Sequence, residues 1–332
     1  MKRTREHASQ TIQKVASTSD VSTQCGYSTS SYNRATKSSY INFRYLLKNV
    51  ISDKETTINW CFHNKLLANK RKCPVCNCDM KYTLSTTYSS DGVKWRCQKL
   101  DHTKDVSIRR NSWFEGSNMT LEEVIELTYW WSTGTEQVNI CQEMGLSSAT
   151  IVDWANFLRE ICDEIVIKRS KPIGGKGVKV QIDESKFGKR KYHRGHKVEG
   201  QWVFGGIESE SRKNFMIPVE KRDRNTLIPI IERYILPGTT IVSDCWKAYD
   251  ILDELDYHHL KVNHSIEFVN ESGDHTNKIE GHWRQAKAVM PKFGVRKKFF
   301  SSHLGEFMWR YENKDKNLFM QIISDISSIY NF

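Results

Sequence analysis

Nowhere in its 332 residues does this chain carry the roughly 18 consecutive apolar side chains that a helix needs to cross a bilayer, and its polar N-terminus lacks the apolar stretch of a secretory leader. A soluble, intracellular protein with no membrane partner is therefore expected. Acid is also in short supply: 39 Asp and Glu stand against 50 Lys and Arg, a formal net charge of +11. That balance favours a polyanionic partner, of which nucleic acid is the commonest, although basic surfaces also exist without one. Apolar periodicity is missing from residues 1–38, which are rich in Ser, Thr, Gln and Lys and read as a disordered tail. Within it, Lys2-Arg3-Thr4-Arg5 is either a nuclear-import or phosphate-binding patch or simply a solvated terminus. Nine cysteines, an odd count, argue against a closed disulfide framework; Cys73, Cys76 and Cys78 crowd together and read better as metal ligands.

Residues 39–69 carry apolar side chains at helical spacing (Phe43, Leu46, Leu47, Val50, then Ile58, Trp60, Phe62, Leu66), which predicts two short helices with Asp53 or Thr56 as a cap. Residues 70–116 follow a different pattern. Cys73-Pro74-Val75-Cys76 precedes a strand-like segment from Met80 to Tyr88, a turn at Ser90-Asp91-Gly92, and a second strand-like segment ending at Cys97. A Cys-x2-Cys pair with a third Cys closing a facing strand is the layout of a zinc ribbon. The second Cys-x2-Cys pair usual in such ribbons is missing, so the fourth ligand falls to His102, with Cys78 as a competitor. The alternative is a small hairpin with buried free thiols. Residues 117–168 predict helices: Thr120-x-x-Glu123 opens one as a capping box, and residues 136–144 and 148–165 flank a turn at Gly145-Leu146-Ser147. Two helices so joined fit either a DNA-contacting helix-turn-helix or a structural hairpin.

Pro172 and Gly174-Gly175 break the helical period and mark a boundary. Beyond it, in residues 176–295, Val178, Val180 and Ile182 alternate with polar neighbours, the period of a half-buried strand, and the run ends on Asp183-Glu184. The predicted order is strands 178–184, 201–208 and 214–219, helix 226–236, strand 239–243, helix 246–255, strand 259–263 and helix 276–290. A meander followed by alternating helix and strand specifies an α/β fold: a mixed sheet with flanking helices, in the order of a ribonuclease-H-like domain. Residues 296–332 add a helical extension, expected at the edge of that sheet.

Asp183 and Asp244 each end an apolar strand; as parallel neighbours they would project from one edge, where open α/β sheets place their sites. Glu280 follows Asp244 after 35 intervening residues, on a helix whose Glu280, Trp283, Arg284 and Lys287 share a face. Three carboxylates suit Mg²⁺ (or Mn²⁺), two ions per site, better than the histidines would. Two such ions can activate water or a 3′-hydroxyl and stabilise the leaving oxygen at phosphorus. Lys186, Lys189, Arg190, Lys191, Arg194 and Lys197, with Arg284 and Lys287, are placed to track a DNA backbone, the alternative for the first six being a solvated loop. His264 and His275 lie near the same edge, as structural residues or as contacts to a scissile phosphate. Trp246 and Trp283 either stack on unpaired bases or pack in the core.

The tracts Gln181-Ile182-Asp183-Glu184-Ser185-Lys186-Phe187-Gly188, Gly205-Gly206-Ile207-Glu208, Val242-Ser243-Asp244-Cys245-Trp246-Lys247-Ala248-Tyr249, Val262-Asn263-His264-Ser265 and His275 to Trp283 together resemble the Merlin superfamily of eukaryotic DNA transposases and their bacterial insertion-sequence relatives, over roughly residues 70–320. The resemblance implies a DDE transposase: Asp183, Asp244 and Glu280 as catalytic, metal-binding acids; a zinc ribbon holding Zn²⁺ through Cys73, Cys76, Cys97 and His102; and a helix-turn-helix that recognises terminal inverted repeats in double-stranded DNA. Lys287 falls where relatives often keep a basic residue. His102 departs from the cysteine with which relatives tend to end the ribbon. Joining two transposon ends implies a homodimer or larger assembly on DNA, acting in the nucleus. A host-recruited, catalytically silent DNA binder and a structure-specific nuclease are the alternatives.

Overall fold

The computed structural model describes residues 41–85, 90–188, 200–262, 276–291 and 295–330; the N-terminal tail with its Lys2-Arg3-Thr4-Arg5 patch lies outside them. Two short capped helices come first, α1 (Phe43–Asn49) and α2 (Lys54–His63), the Asp53 side chain accepting the Thr56 N–H. A small antiparallel sheet follows, β1 (Lys81–Leu84), β2 (Val93–Arg96) and β3 (Asp105–Ser107), with β2 central. Helix α3 (Leu121–Ser132) opens with the reciprocal Thr120–Glu123 box. Helix α4 (Gln137–Met144) stops at Gly145, whose φ of 63° is left-handed, and Ser147 then caps α5 (Ser148–Arg169). These elements share one apolar core that includes Leu46, Trp95, Phe114, Val124 and Leu158.

The remainder builds a five-stranded sheet. In chain order come β4 (Ile173–Gly174), β5 (Lys179–Phe187), β6 (Gln201–Glu208), β7 (Asn214–Val219), α6 (Arg224–Tyr234), β8 (Ile235–Leu236), β9 (Thr240–Asp244), β10 (His258–Val262), α7 (Asn277–Val289), α8 (Lys297–Glu312) and α9 (Leu318–Ile329). The sheet order is β10-β9-β5-β6-β7, antiparallel from β5 through β7 and parallel from β5 through β10. Alternation along β5 divides the packing. Val180 and Ile182 face Leu227 and Ile231 of α6, whereas Val203, Ile207 and Met216 face Ile279 and Trp283 of α7 and Phe307 of α8.

Two expectations are corrected. Residues 246–255 form two short 3₁₀ turns, Lys247–Tyr249 and Leu252–Glu254, not an α-helix. Their carboxylates are spent across the chain: Asp250 accepts from Lys261 Nζ at 2.7 Å and Asp253 from the His259 N–H at 3.1 Å, which ties the segment to β10. Helix α9 leaves the sheet's edge altogether. Both sheet faces are already covered, so its apolar stripe of Phe319, Ile322, Ile323 and Ile326 joins the N-terminal core. Buried Asp325 fixes it there, accepting from Trp309 Nε1 at 2.7 Å and from Arg169. Among the described residues no helix is long and apolar enough to cross a membrane.

Candidate functional site

The site begins with the register of β5 and β9. Gln181 pairs with Val242 in parallel, and Asp183 and Asp244 each lie two residues further on, so both carboxylates stand at the same end of adjacent strands. Helix α7 is laid along β5 by three side-chain contacts in step. Gln181 Oε1 accepts the Ile279 N–H at 3.0 Å, Asp183 Oδ2 accepts Trp283 Nε1–H at 2.9 Å, and Ser185 Oγ accepts from Lys287 Nζ at 2.6 Å. Two residues of strand and four of helix advance nearly equal distances, about 6.6 and 6 Å, which keeps the three contacts aligned. Glu280 sits one residue past the first contact, in the first turn of α7, where Thr276 Oγ1 lies 3.3 Å from its Oε1.

Asp183 is half-buried, and burial pushes its pKa up to about 6. The Glu184 backbone N–H and the Trp283 indole oppose that shift, while Asp244 and Glu280 add to it. The Asp244 Oδ1 accepts the backbone N–H of Trp246 at 3.1 Å. Behind it, the buried Ser243 hydroxyl lies 2.7 Å from His259 Nε2. The donor set of three carboxylates is a hard-oxygen set that fits Mg²⁺ or Mn²⁺.

Three features escape a reading of the sequence. Trp283 is buried against β6 because Gly205, opposite Asp183 in the ladder, has no side chain; a Cβ there would come within 2.6 Å of Trp283 Cη2. The Gly205-Gly206 pair inside a strand was the available signal. Secondly, Trp283 and Lys287 both bond to β5, Trp283 buried and Lys287 exposed like Glu280 and Arg284. Lastly, Glu184 points to the opposite face of the sheet with only 6% of its side chain exposed. Its pKa is pushed up to about 8 by burial and by Asp183 and Asp244, with Arg222, 3.8 Å away, opposing.

Lys186 is half-buried, with Nζ 5.6 Å over the Trp202 ring. Lys189, Arg190, Lys191, Arg194, Lys197, His264 and His275 lie outside the described residues.

A second cluster stands in the N-terminal sheet. Cys73, Cys76, Cys97 and His102 bring one ligand atom each to within 4.8 Å of the others. Cys76 and Cys97 sulfurs are 3.5 Å apart, and His102 Nε2 lies 3.9 Å from Cys73 Sγ and 3.7 Å from Cys97 Sγ. A tetrahedral zinc with 2.3 Å arms sets its ligands about 3.8 Å apart, so the spacing fits. The Cys76 thiol is drawn down to about 6 by the Cys78 backbone N–H and by His102, which favours the thiolate. Cys78 stands outside the quartet, its carbonyl accepting the Cys73 N–H.

With this geometry in hand, comparison with known proteins is informative. The family model of the ISXO2-like transposase domain matches residues 169–312. An uncharacterized transposase-like protein of Haemophilus influenzae is 33% identical over 104 residues, 31% of this chain and 84% of that protein. Male abnormal protein mab-31 of Caenorhabditis elegans is 24% identical over 217 residues, 59% of this chain and 50% of that protein. A solved pre-cleavage Mos1 transpososome is 12% identical, covering 64% of this chain and 81% of that one; its TM-score of 0.24 is too low to bear on the fold.

Proposed function

Given that the chain belongs to the ISXO2-like family of DDE transposases, we propose that it cuts double-stranded DNA at transposon ends and joins the freed 3′-hydroxyls to target DNA. What supports the reading is that Asp183 and Asp244 stand at the same end of adjacent parallel strands while α7, with Glu280 in its first turn, is bonded along β5. The strand order β10-β9-β5-β6-β7 supports a ribonuclease-H-like domain over residues 176–295. Asp183, Asp244 and Glu280 would hold Mg²⁺ or Mn²⁺, two ions in the site. When bound, the ions supply charge stabilisation of the attacking and leaving oxygens at phosphorus.

The chain's own residues do the rest. Trp283 holds the Asp183 carboxylate in one rotamer through Nε1–H, and buried Gln181 anchors the start of α7 so that Glu280 stays at the rim. Lys287, bonded to Ser185 and 5.4 Å over the Phe187 ring, adds a fixed positive charge one turn past Trp283. Exposed Arg284, together with Lys186, Lys189, Arg190, Lys191, Arg194 and Lys197, meets backbone phosphates, giving binding that weakens steeply with salt. In the same reading, residues 70–116 are a ribbon holding Zn²⁺ through Cys73, Cys76, Cys97 and His102. Residues 117–168 contain a helix-turn-helix, α4 to α5, that reads inverted repeats, and 296–332 are a helical extension. The assembly is a homodimer or larger on DNA, in the nucleus.

The test uses an excision and integration assay with the DNA that flanks the reading frame. Asp183→Ala is expected to abolish cleavage and strand transfer while end binding persists. If the variant and the parent behave alike in every assay, the chain is a silent DNA binder; if the parent cuts without joining, it is a nuclease.

A further inference from the structure

All but one of the ten tryptophans are buried or half-buried; Trp246 is 42% exposed. It lies two residues beyond Asp244, on the rim of an open cavity of about 510 Å³ bordered by Arg222, Asp223, Cys245, Lys247 and Ala248. The indole is not loose. The Arg222 guanidinium is sandwiched between two rings, 3.7 Å from the centroid of Trp202 and 5.4 Å from that of Trp246, and Trp246 Nε1 donates to the Arg222 carbonyl at 3.4 Å. From the sheet side, the Glu184 carboxyl approaches Arg222 to 3.8 Å. The stack is therefore preset before anything enters. The lining's one acid, Asp223, caps α6, accepting the Thr226 N–H at 3.0 Å; against its single negative charge the lining sets the two positive charges of Arg222 and Lys247.

An occupant that suits this chemistry is flat, apolar on its face, and tethered to negative charge. A nucleobase on a DNA strand meets all three conditions. A paired base inside a duplex hides both faces against its neighbours, so only a base that is unpaired or turned out of the helix can stack on Trp246. Resting on the reading of this chain as a DNA-cutting enzyme, we infer that the cavity lined by Trp246, Arg222 and Lys247 is a receiving site for one unpaired nucleobase of a strand brought to Asp244. Arg222 and Lys247 receive the flanking phosphate, and Trp246 reads no sequence, since every base has a face to offer.

The experiment titrates the full chain with a blunt duplex, with the same duplex carrying a short single-stranded overhang, and with an overhang of equal charge made of abasic units. In a further set 2-aminopurine, whose fluorescence falls on stacking against an indole, replaces each overhang base in turn. The base-bearing overhang is expected to bind roughly tenfold tighter than the abasic one, with quenching at one position. Trp246→Ala should erase both differences and leave blunt-duplex affinity unchanged; Trp246→Phe should keep most of each. A preference that survives Trp246→Ala, or one absent from the parent while the blunt duplex still binds, overturns the site alone. Failure of every DNA to bind overturns the reading beneath it as well.

Discussion

Trp283 joins packing to polarity at the point where the proposed chemistry needs both. Its ring fills the space that Gly205 leaves, and its N–H satisfies a carboxylate that is partly withdrawn from water. Trp283→Phe keeps most of the packing and removes the donor. Hydrogen bonds to charged groups contribute about 1.5–3 kcal/mol, so Mn²⁺ affinity measured by calorimetry should fall by roughly tenfold or more while the thermal unfolding midpoint moves little. An unchanged affinity would mean that Trp283 does not hold Asp183. Glu184 offers a second residue-scale test. Its pKa is raised in the folded protein from about 4.5 to about 8, so the folded state binds the proton more tightly than the unfolded chain. That contribution is complete below the unfolded value and is lost as pH climbs through the folded one. Without added divalent cation, the melting temperature should therefore decline between about pH 4.5 and about pH 8, and Glu184→Gln should flatten the decline by roughly 2–4 °C. A variant with the parent's slope would contradict the assignment. Neither role was legible in the sequence: Trp283 fits a core stripe as well as a polar contact, and Glu184 is flanked by Phe204 in the ladder and by Arg222, both arriving from elsewhere in the chain.

Elements whose signals are local could be read directly. The alternation of Val180 and Ile182 marks β5, the β-branched run Thr239 to Val242 marks β9, and both carry an acid where the strand ends. Thr120–Glu123 announced the start of α3 through its own hydrogen bonds, and the Gly145-Leu146-Ser147 turn marked the break before α5, which Ser147 caps. Cysteine spacing singled out the quartet, although choosing His102 over Cys78 required the fold of β1 to β3. Signals that depend on distant partners failed: residues 246–255 gave up a helix because their aspartates bond to β10, and α9 went to the core that had room for its apolar face. In the reading proposed above, metal in the quartet holds the β1 to β3 sheet together, since so small a sheet has little core of its own. Metal analysis should find one zinc per chain, and chelation or Cys76→Ala should unfold β1 to β3 while β5 to β10 keep their amide-exchange protection. A sheet that stays folded and zinc-free would return the quartet to four unligated side chains.

At the scale of the whole molecule, two cores are stitched by α5, α8 and α9. Arg310 on α8 donates to the carbonyls of Trp131 and Ser132 and lies 4.2 Å over the Trp131 ring, while Asp325 on α9 takes Trp309 and Arg169. Helix α8 also backs α7, the Phe307 and Tyr311 rings lying 5.0 and 4.4 Å from that of His282, so the element that carries Glu280 is held by α8 as well as by β5. The proposed rim thus draws on β5, β9 and α7 at once, elements spread along the chain from Lys179 to Val289. Its convergence can be measured by replacing Mg²⁺ with Fe²⁺ and ascorbate, which cuts polypeptide beside a bound ion. Cuts are predicted near Asp183, Asp244 and Glu280 together, all suppressed by excess Mg²⁺ and all lost in Asp183→Ala; cutting near only one of the three, or persisting in the variant, would contradict the account.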